Sequence, residues 1–134
     1  GHITDAWQIQ AGYACLDSSV IKSAAGAAPV GAALMNTPKH TVTAWTTYNL
    51  GDGWEIGGGG RYASSQFTQN APPIKTVPGF FTADAMARYT LSQKLSVQLN
   101  VNNVFDKYYY DQLHFFHVVP AEGRTALLSV NLNY

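Results

Sequence analysis

Two histidines and an aspartate near the end of the chain are the residues whose types would best suit metal binding. They are Asp111, His114 and His117. Residues three positions apart in an extended segment point to opposite sides, so the two histidines are poorly placed to share a metal ion. We therefore expect no metal site here. Cys15 is the single cysteine, so the chain holds neither a disulfide framework nor a cysteine-based metal site.

A glycine run at 57–60 is the other pattern that could bind a ligand. A phosphate-binding loop carries Lys and then Ser or Thr after its glycines, and no such pair follows here. The run falls within a predicted strand, where glycines indicate close approach by another stretch of backbone or strand curvature. No nucleophile elbow, carboxylate pair or His–Glu constellation emerges, so the sequence predicts that the protein is not an enzyme.

Alternating apolar and polar residues predict an all-β, antiparallel structure. The predicted strands lie at 5–16, 41–50, 54–64, 81–89, 95–102 and 125–134. The second is the least regular, because Trp45 falls opposite Val42, Ala44 and Tyr48. Long connections (17–38, 64–79, 106–123) alternate with short ones (50–53, 90–94). That order is typical of membrane barrels with long extracellular loops and short periplasmic turns.

Charged residues distinguish the two faces of this predicted sheet. Glu55, Arg61, Asp84 and Arg88 all fall on the polar face, which would then line the lumen. The other face is apolar with aromatic residues at the strand ends, as lipid-facing surfaces of outer-membrane barrels are. Only 12% of the residues are charged, against roughly 25% in typical soluble domains. The formal charge of zero gives no indication of nucleic-acid binding.

Six strands are too few to close a membrane barrel, which needs at least ~8. We therefore expect the chain to be the last part of a larger barrel, with its export signal upstream. The final strand alternates up to the aromatic Tyr134, and in this it resembles the C-termini that the barrel assembly machinery recognises.

Motifs along the whole chain resemble those of TonB-dependent siderophore receptors. The most specific is a penultimate-strand motif made of Asn100, Val101, Asn102, Asn103, Val104, Phe105, Asp106, Lys107 and Tyr109. Further matches are Asn36, Thr37, Pro38, Lys39 and His40; Trp45, Thr46, Thr47 and Tyr48; Val77, Pro78, Gly79 and Phe80, then Asp84 and Ala85; and Gly123, Arg124 and Thr125. Residues 110–120 most resemble the catecholate-siderophore receptors, since the cysteine pair that hydroxamate receptors often carry in this loop is absent.

The resemblance implies a receptor of the bacterial outer membrane. Its fold would be an antiparallel transmembrane β-barrel, roughly 22-stranded, with residues 1–134 as the last six strands. An N-terminal plug, absent from this chain, would fill the barrel and contact TonB. Iron would arrive as a ferric siderophore, so no cofactor is expected. Further implied partners are outer-membrane lipid and, through Tyr134, the assembly machinery. Arg61, Asp84 and Arg88 would form an ion-pair network in the barrel wall or contact the plug.

A receptor for an aromatic, negatively charged complex needs cations and aromatic rings at its docking surface. Loop residues with suitable side chains are Gln69, Asn70, Lys75, Tyr108, Tyr110, His114, His117 and Arg124. Two alternatives stay open. Another outer-membrane barrel, such as a porin or adhesin, would lack a plug; a soluble β-barrel binding module would remain folded and soluble without detergent.

Overall fold

The chain folds entirely as strands and their connections in a computed structural model that describes residues 1–24, 28–68, 74–113 and 117–133. The strands are β1 (Trp7–Cys15), β2 (His40–Gly51), β3 (Trp54–Ala63), β4 (Gln66–Phe67), β5 (Thr76–Val77), β6 (Phe80–Ser92), β7 (Leu95–Asn102), β8 (Tyr110–Leu113), β9 (Val118–Pro120) and β10 (Thr125–Leu132). Among these described residues, no helix has the length and apolar character needed to cross a membrane.

The six long strands form one antiparallel sheet in the order β1-β2-β3-β6-β7-β10. All six predicted strands are confirmed, and β6 continues beyond its predicted end because Ser92 still pairs with Leu95 after a bulge. The four short strands were not predicted. They form the hairpins β4–β5 and β8–β9 within two of the long connections. Strands of two to four residues are too short for an alternating pattern to be recognisable.

The first short turn is tight because consecutive residues adopt the left-handed conformation. Gly51, Asp52 and Gly53 have φ angles of 84°, 49° and 83°. At Gly53 a side chain would also collide with the carbonyl oxygen of Thr90. Both the left-handed backbone and this collision therefore favour glycine at this position. The Gly53 carbonyl accepts a hydrogen bond from the Thr90 amide at 2.8 Å, which ties the turn to β6.

Residues at the chain start fold back along the free edge of β1. The Gly1 nitrogen donates to the Ile9 carbonyl at 2.6 Å, and the Ile9 amide donates to the Gly1 carbonyl at 2.9 Å. His2 forms an antiparallel bridge with Gln8. The edge of β1 thus has the geometry to accept an antiparallel partner strand.

Cross-strand pairing determines which side chains share a face of the sheet. Glu55 pairs with Arg88, Gly59 with Asp84 and Arg61 with Thr82, so the four charged side chains Glu55, Arg61, Asp84 and Arg88 lie on one face, here called the polar face. The opposite, apolar face includes Leu128, Val130 and Leu132, each 65% exposed. A soluble domain rarely leaves a continuous apolar surface of this kind in water.

Aromatic rings lie at both ends of the apolar face. At the short-turn end Trp54 pairs with Tyr89, and their ring centroids are 4.6 Å apart. At the long-loop end Tyr62 pairs with Phe81. Aromatic girdles on either side of an apolar band are the surface pattern of strands that cross an outer membrane.

Candidate ligand-binding site

Arg61 lies near the loop end of β3 beside two aromatic rings. Its guanidinium carbon is 5.1 Å from the centroid of Phe80 and 5.9 Å from that of Tyr109. The two rings contact each other, with centroids 4.2 Å apart. A guanidinium over aromatic faces is attracted by their electron-rich surfaces. Arg61, Phe80, Tyr109 and Asp111 are called the Arg61 cluster below.

Asp111 brings a carboxylate from the β8–β9 hairpin to this cation. Arg61 Nη2 donates to Asp111 Oδ1 at 3.5 Å and to the Tyr109 hydroxyl at 3.4 Å. Both distances exceed those of strong hydrogen bonds. The two charged side chains are 43% and 46% exposed, so water screens their attraction, and such pairs stabilise by at most about 1 kcal/mol.

A cavity of about 280 Å³ opens beside Arg61 on the polar face. Carboxylates, amides and a phenol line it, namely Asp84, Asn102, Asn103, Tyr109 and Glu122, together with Thr82, Gly123 and Thr125. Among the described residues no three His, Cys, Asp or Glu side chains lie close enough to hold a metal ion. The cavity therefore offers one cation, aromatic surface and hydrogen-bonding groups for a ligand.

The base of the last long loop is fixed by two residues of the penultimate-strand motif, Asn103 and Asp106. Asn103 is 5% exposed, and its side chain both donates to the Lys107 carbonyl at 2.9 Å and accepts from the Lys107 amide at 2.8 Å. Asp106 accepts from the Arg124 amide at 2.8 Å. Asn103 and Asp106 have φ near 50°, which Asn and Asp tolerate better than most residues. These bonds hold the chain segment that carries Tyr109 against the sheet.

The charges of the polar face pair differently from the predicted ion-pair network of Arg61, Asp84 and Arg88. Arg88 pairs with Glu55 at 3.4 Å and donates to Gln98 Oε1 at 2.8 Å. Asp84 accepts from the backbone amide of Asn103 at 2.7 Å. The register explains the difference, because Asp84 stands opposite Gly59 and has no cation directly across the strand.

Four residues singled out from the sequence, Gln69, Asn70, His114 and Tyr134, lie outside the described residues. Of the others, Tyr108 and Tyr110 come together, with ring centroids 5.5 Å apart in a T-shaped arrangement. Interaction with the neighbouring Tyr110 hydroxyl raises the pKa of the Tyr108 phenol.

Lys75 and Arg124 form hydrogen bonds with residues outside the Arg61 cluster. Lys75 belongs to the segment next to the other hairpin, where its carbonyl accepts from the Thr68 amide at 3.0 Å. His117 lies exposed just before β9. Arg124 Nη1 reaches the Val104 carbonyl at 3.5 Å, at the base of the last loop.

Sequence reasoning did not include Phe80 and Tyr109 among the ligand-binding residues, and it assigned Arg61 to the barrel wall. For Phe80, the alternation of side chains in β3 and β6 would have indicated its place near Arg61. Ala63 pairs with Phe80, and Arg61 lies two residues before Ala63, so an alternating pattern places Arg61 and Phe80 on the same face and close together.

Trp45 lies on the polar face over the glycine run of β3. A methyl group on Gly57 would come within 3.1 Å of Trp45 Cζ2, and one on Gly59 within 2.6 Å of Cε3. This indole occupies the space beside the glycines, where the sequence predicted a close approach of backbone. Trp45 also lines a cavity of about 400 Å³ with Gln8, Gln10, Thr47, Glu55 and Arg88.

Comparison with known proteins gives consistent matches over the chain. Residues 2–104 match the protein-family model described as TonB dependent receptor-like, beta-barrel. The probable TonB-dependent siderophore receptor PiuA of Acinetobacter baumannii is 37% identical over 100% of this chain and 19% of its own length. The catecholate siderophore receptor Fiu of Escherichia coli (strain K12) is 34% identical over 100% of this chain and 18% of its own.

The solved structures of the same two receptors have the same fold over this segment. The crystal structure of PiuA gives a TM-score of 0.86 at 36% identity, covering 100% of this chain and 20% of that one. The crystal structure of the closed form of Fiu gives a TM-score of 0.85 at 30% identity, again covering 100% of this chain and 20% of that one. The chain spans about a fifth of the length of the curated relatives it matches.

Proposed function

Because this chain belongs to the TonB-dependent receptor family, as part of its β-barrel, we propose that the whole protein imports a ferric siderophore across the outer membrane, driven by TonB. The chain itself is an outer-membrane barrel segment. The observation that carries the proposal is the similarity to two siderophore receptors over all of its length, loops included. The family consists of receptors and transporters, and the proposed function makes or breaks no bond.

The ligand proposed is a catecholate siderophore. A ferric catecholate is aromatic and negatively charged, and the Arg61 cluster with Tyr108 and Tyr110 provides a cation and aromatic rings at the loop end. The similarity to Fiu supports the same class. The siderophore supplies the ligands of the iron, so the protein needs no metal site of its own.

In this proposal the sheet is completed by strands outside the chain. The edges of β1 and β10 lack a partner within the described sheet, and unpaired edges are costly in lipid. The pairing of Gly1 and His2 with β1 supports a further strand there. We place residues 1–134 as the C-terminal portion of a barrel of about 22 strands, with lipid on the apolar face and a plug on the polar face. TonB would contact the plug, and Tyr134 the assembly machinery.

Uptake of radioactive iron by iron-starved cells tests the proposal. Deleting the gene for the whole protein should remove most uptake of a negatively charged iron(III) tris(catecholate) and leave that of a neutral iron(III) tris(hydroxamate) unchanged. Deleting tonB should have the same effect on the catecholate. Uptake of the catecholate that persists without the gene would contradict the proposal. Loss with the gene deletion but not with the tonB deletion would instead favour a porin.

A further inference from the structure

We propose that Arg61 is a ligand-binding cation and that Asp111 occupies it until an anionic ligand replaces the carboxylate. This inference rests on the proposed function and deepens it by naming the cation, and the contact that the ligand must break. Four observations on the Arg61 cluster and its surroundings carry it.

The first observation is that, among the described residues, Arg61 forms hydrogen bonds through only one of its nitrogens. Its contacts with Asp111 and Tyr109 are both made by one terminal nitrogen, Nη2, at 3.5 Å and 3.4 Å. A guanidinium carries five N–H donors in a planar fork, which suits two neighbouring oxygens of one ligand. A ligand with paired anionic oxygens can therefore bind Arg61 more fully than Asp111 does.

The second observation is that the cavity beside Arg61 already holds more carboxylate than cation. Asp84 and Glu122 line it with Arg61. An anion added while Asp111 stays in place would be repelled by Asp111 as well as by Asp84 and Glu122, and departure of Asp111 removes one of these three negative charges. The charge balance therefore favours exchange of one anion for another over simple addition.

The third observation identifies which carboxylate leaves. Asp84 accepts a 2.7 Å hydrogen bond from the Asn103 amide at the fixed base of the loop. Asp111 belongs instead to the short β8–β9 hairpin and meets Arg61 at only 3.5 Å. Asp111 is thus the weakly held carboxylate, and Asp84 stays.

The fourth observation is that the rings hold Arg61 in place when the carboxylate moves. Phe80 is 7% exposed, and its ring lies 5.1 Å from the guanidinium carbon. This contact comes from the sheet and does not depend on Asp111. The cation is therefore preorganised for an incoming anion, which lowers the cost of binding.

Binding measurements on the full-length receptor in detergent test the inference, with iron(III) tris(catecholate) as the probe and intrinsic fluorescence quenching as the readout. Asp111→Asn should bind the probe about two- to fivefold more tightly, because a competing exposed ion pair is removed. Arg61→Met should weaken binding at least about tenfold. Arg61→Lys, which keeps the charge, should lie between Arg61→Met and the wild type.

The same strands provide a matched control. Glu55→Gln and Arg88→Met break a comparable exposed ion pair at the turn end of β3 and β6, and each should change affinity by less than about twofold. In Arg61→Met, adding Asp111→Asn should give a smaller gain than in the wild type, because repulsion by Asp111 is relieved but there is no cation left to release. A neutral iron(III) tris(hydroxamate) should not distinguish Asp111→Asn from wild type.

Two results would overturn the inference while leaving the proposed function intact. In the first, the wild-type receptor binds iron(III) tris(catecholate) but Asp111→Asn does not bind it more tightly. The other is an equal gain for Asp111→Asn in the presence and absence of Arg61. If the wild-type receptor bound neither probe, the proposed function would fail and this inference with it. Heat-modifiable migration on gels confirms that each variant has folded.

Discussion

Replacing Gly59 with alanine tests how closely β2 packs on β3 across the polar face. The added methyl group would meet the carbonyl oxygen of Ala44 in a collision, Trp45 Cε3 at 2.6 Å and Trp45 Cα at 3.0 Å. Two of these atoms are backbone and cannot swing away. The neighbouring strand must therefore shift, or the indole must leave the space that it occupies.

The expected loss follows from these contacts. Forcing an extra methyl group into a packed site costs about 1–3 kcal/mol. Replacing glycine by alanine at an ordinary backbone conformation returns about 0.4–1 kcal/mol, because the unfolded chain has fewer conformations. Gly59→Ala should thus lower the free energy of unfolding by a net amount on the order of 1–2 kcal/mol.

Gly58→Ala is the matched control, one residue away on the opposite face. Its methyl group would meet only the Asp84 carbonyl oxygen, at an ordinary 3.5 Å, so its stability should equal or slightly exceed that of the wild type. Urea unfolding of the full-length receptor in detergent compares the midpoints of the two variants. Equal midpoints for Gly58→Ala and Gly59→Ala would refute the packing of Trp45 described here.

Two further predictions concern the apolar face and the loop base. Leu128→Arg should lower the yield of folded, heat-modifiable receptor, because a charge facing lipid costs about 2–4 kcal/mol near mid-membrane. Ser129→Arg, on the polar face, should fold nearly normally. Equal yields of the two variants would contradict the assignment of faces. Asn103→Gly keeps the left-handed backbone of this buried residue but removes its hydrogen bonds to Lys107. The loss of these bonds should destabilise the loop base by about 1–3 kcal/mol. Proteolysis within residues 106–123 should therefore be faster than in the wild type. Unchanged cleavage relative to an Asp52→Gly control in the short turn would count against that role of Asn103.

Five of the six long strands could be predicted because each shows alternation over eight or more residues, and β2 could be predicted from its content of Thr, Val and Tyr. The turn at 50–53 could be predicted for a different reason, since its glycines mark a tight reversal. The short connections at 50–53 and 90–94 then required two pairs of consecutive strands, β2 with β3 and β6 with β7, to be neighbours. The faces followed from the charges, because a strand with period two places Glu55 and Arg61 on the same side.

The Arg61 cluster could not be predicted in the same way, because it depends on contacts between segments distant in sequence. Tyr109 and Asp111 approach Arg61 from about fifty residues away, through a loop whose path has no periodic signal. The motif at Asn103 and Asp106 was recognised as a family feature, but its hydrogen bonds to the loop base emerge only in three dimensions. The pairing of Arg88 with Glu55 required the exact register of β3 and β6.

All of these proposals depend on one claim, that the sheet separates lipid on its apolar face from the polar interior of the barrel. Spin labels at Ser96, Val97, Gln98, Leu99 and Asn100 of the full-length receptor, in a background without other cysteines, test it in membranes. Val97 and Leu99 should collide mostly with oxygen dissolved in lipid, and Ser96, Gln98 and Asn100 mostly with a water-soluble nickel chelate. Accessibility to the nickel chelate that does not alternate along β7 would contradict the account.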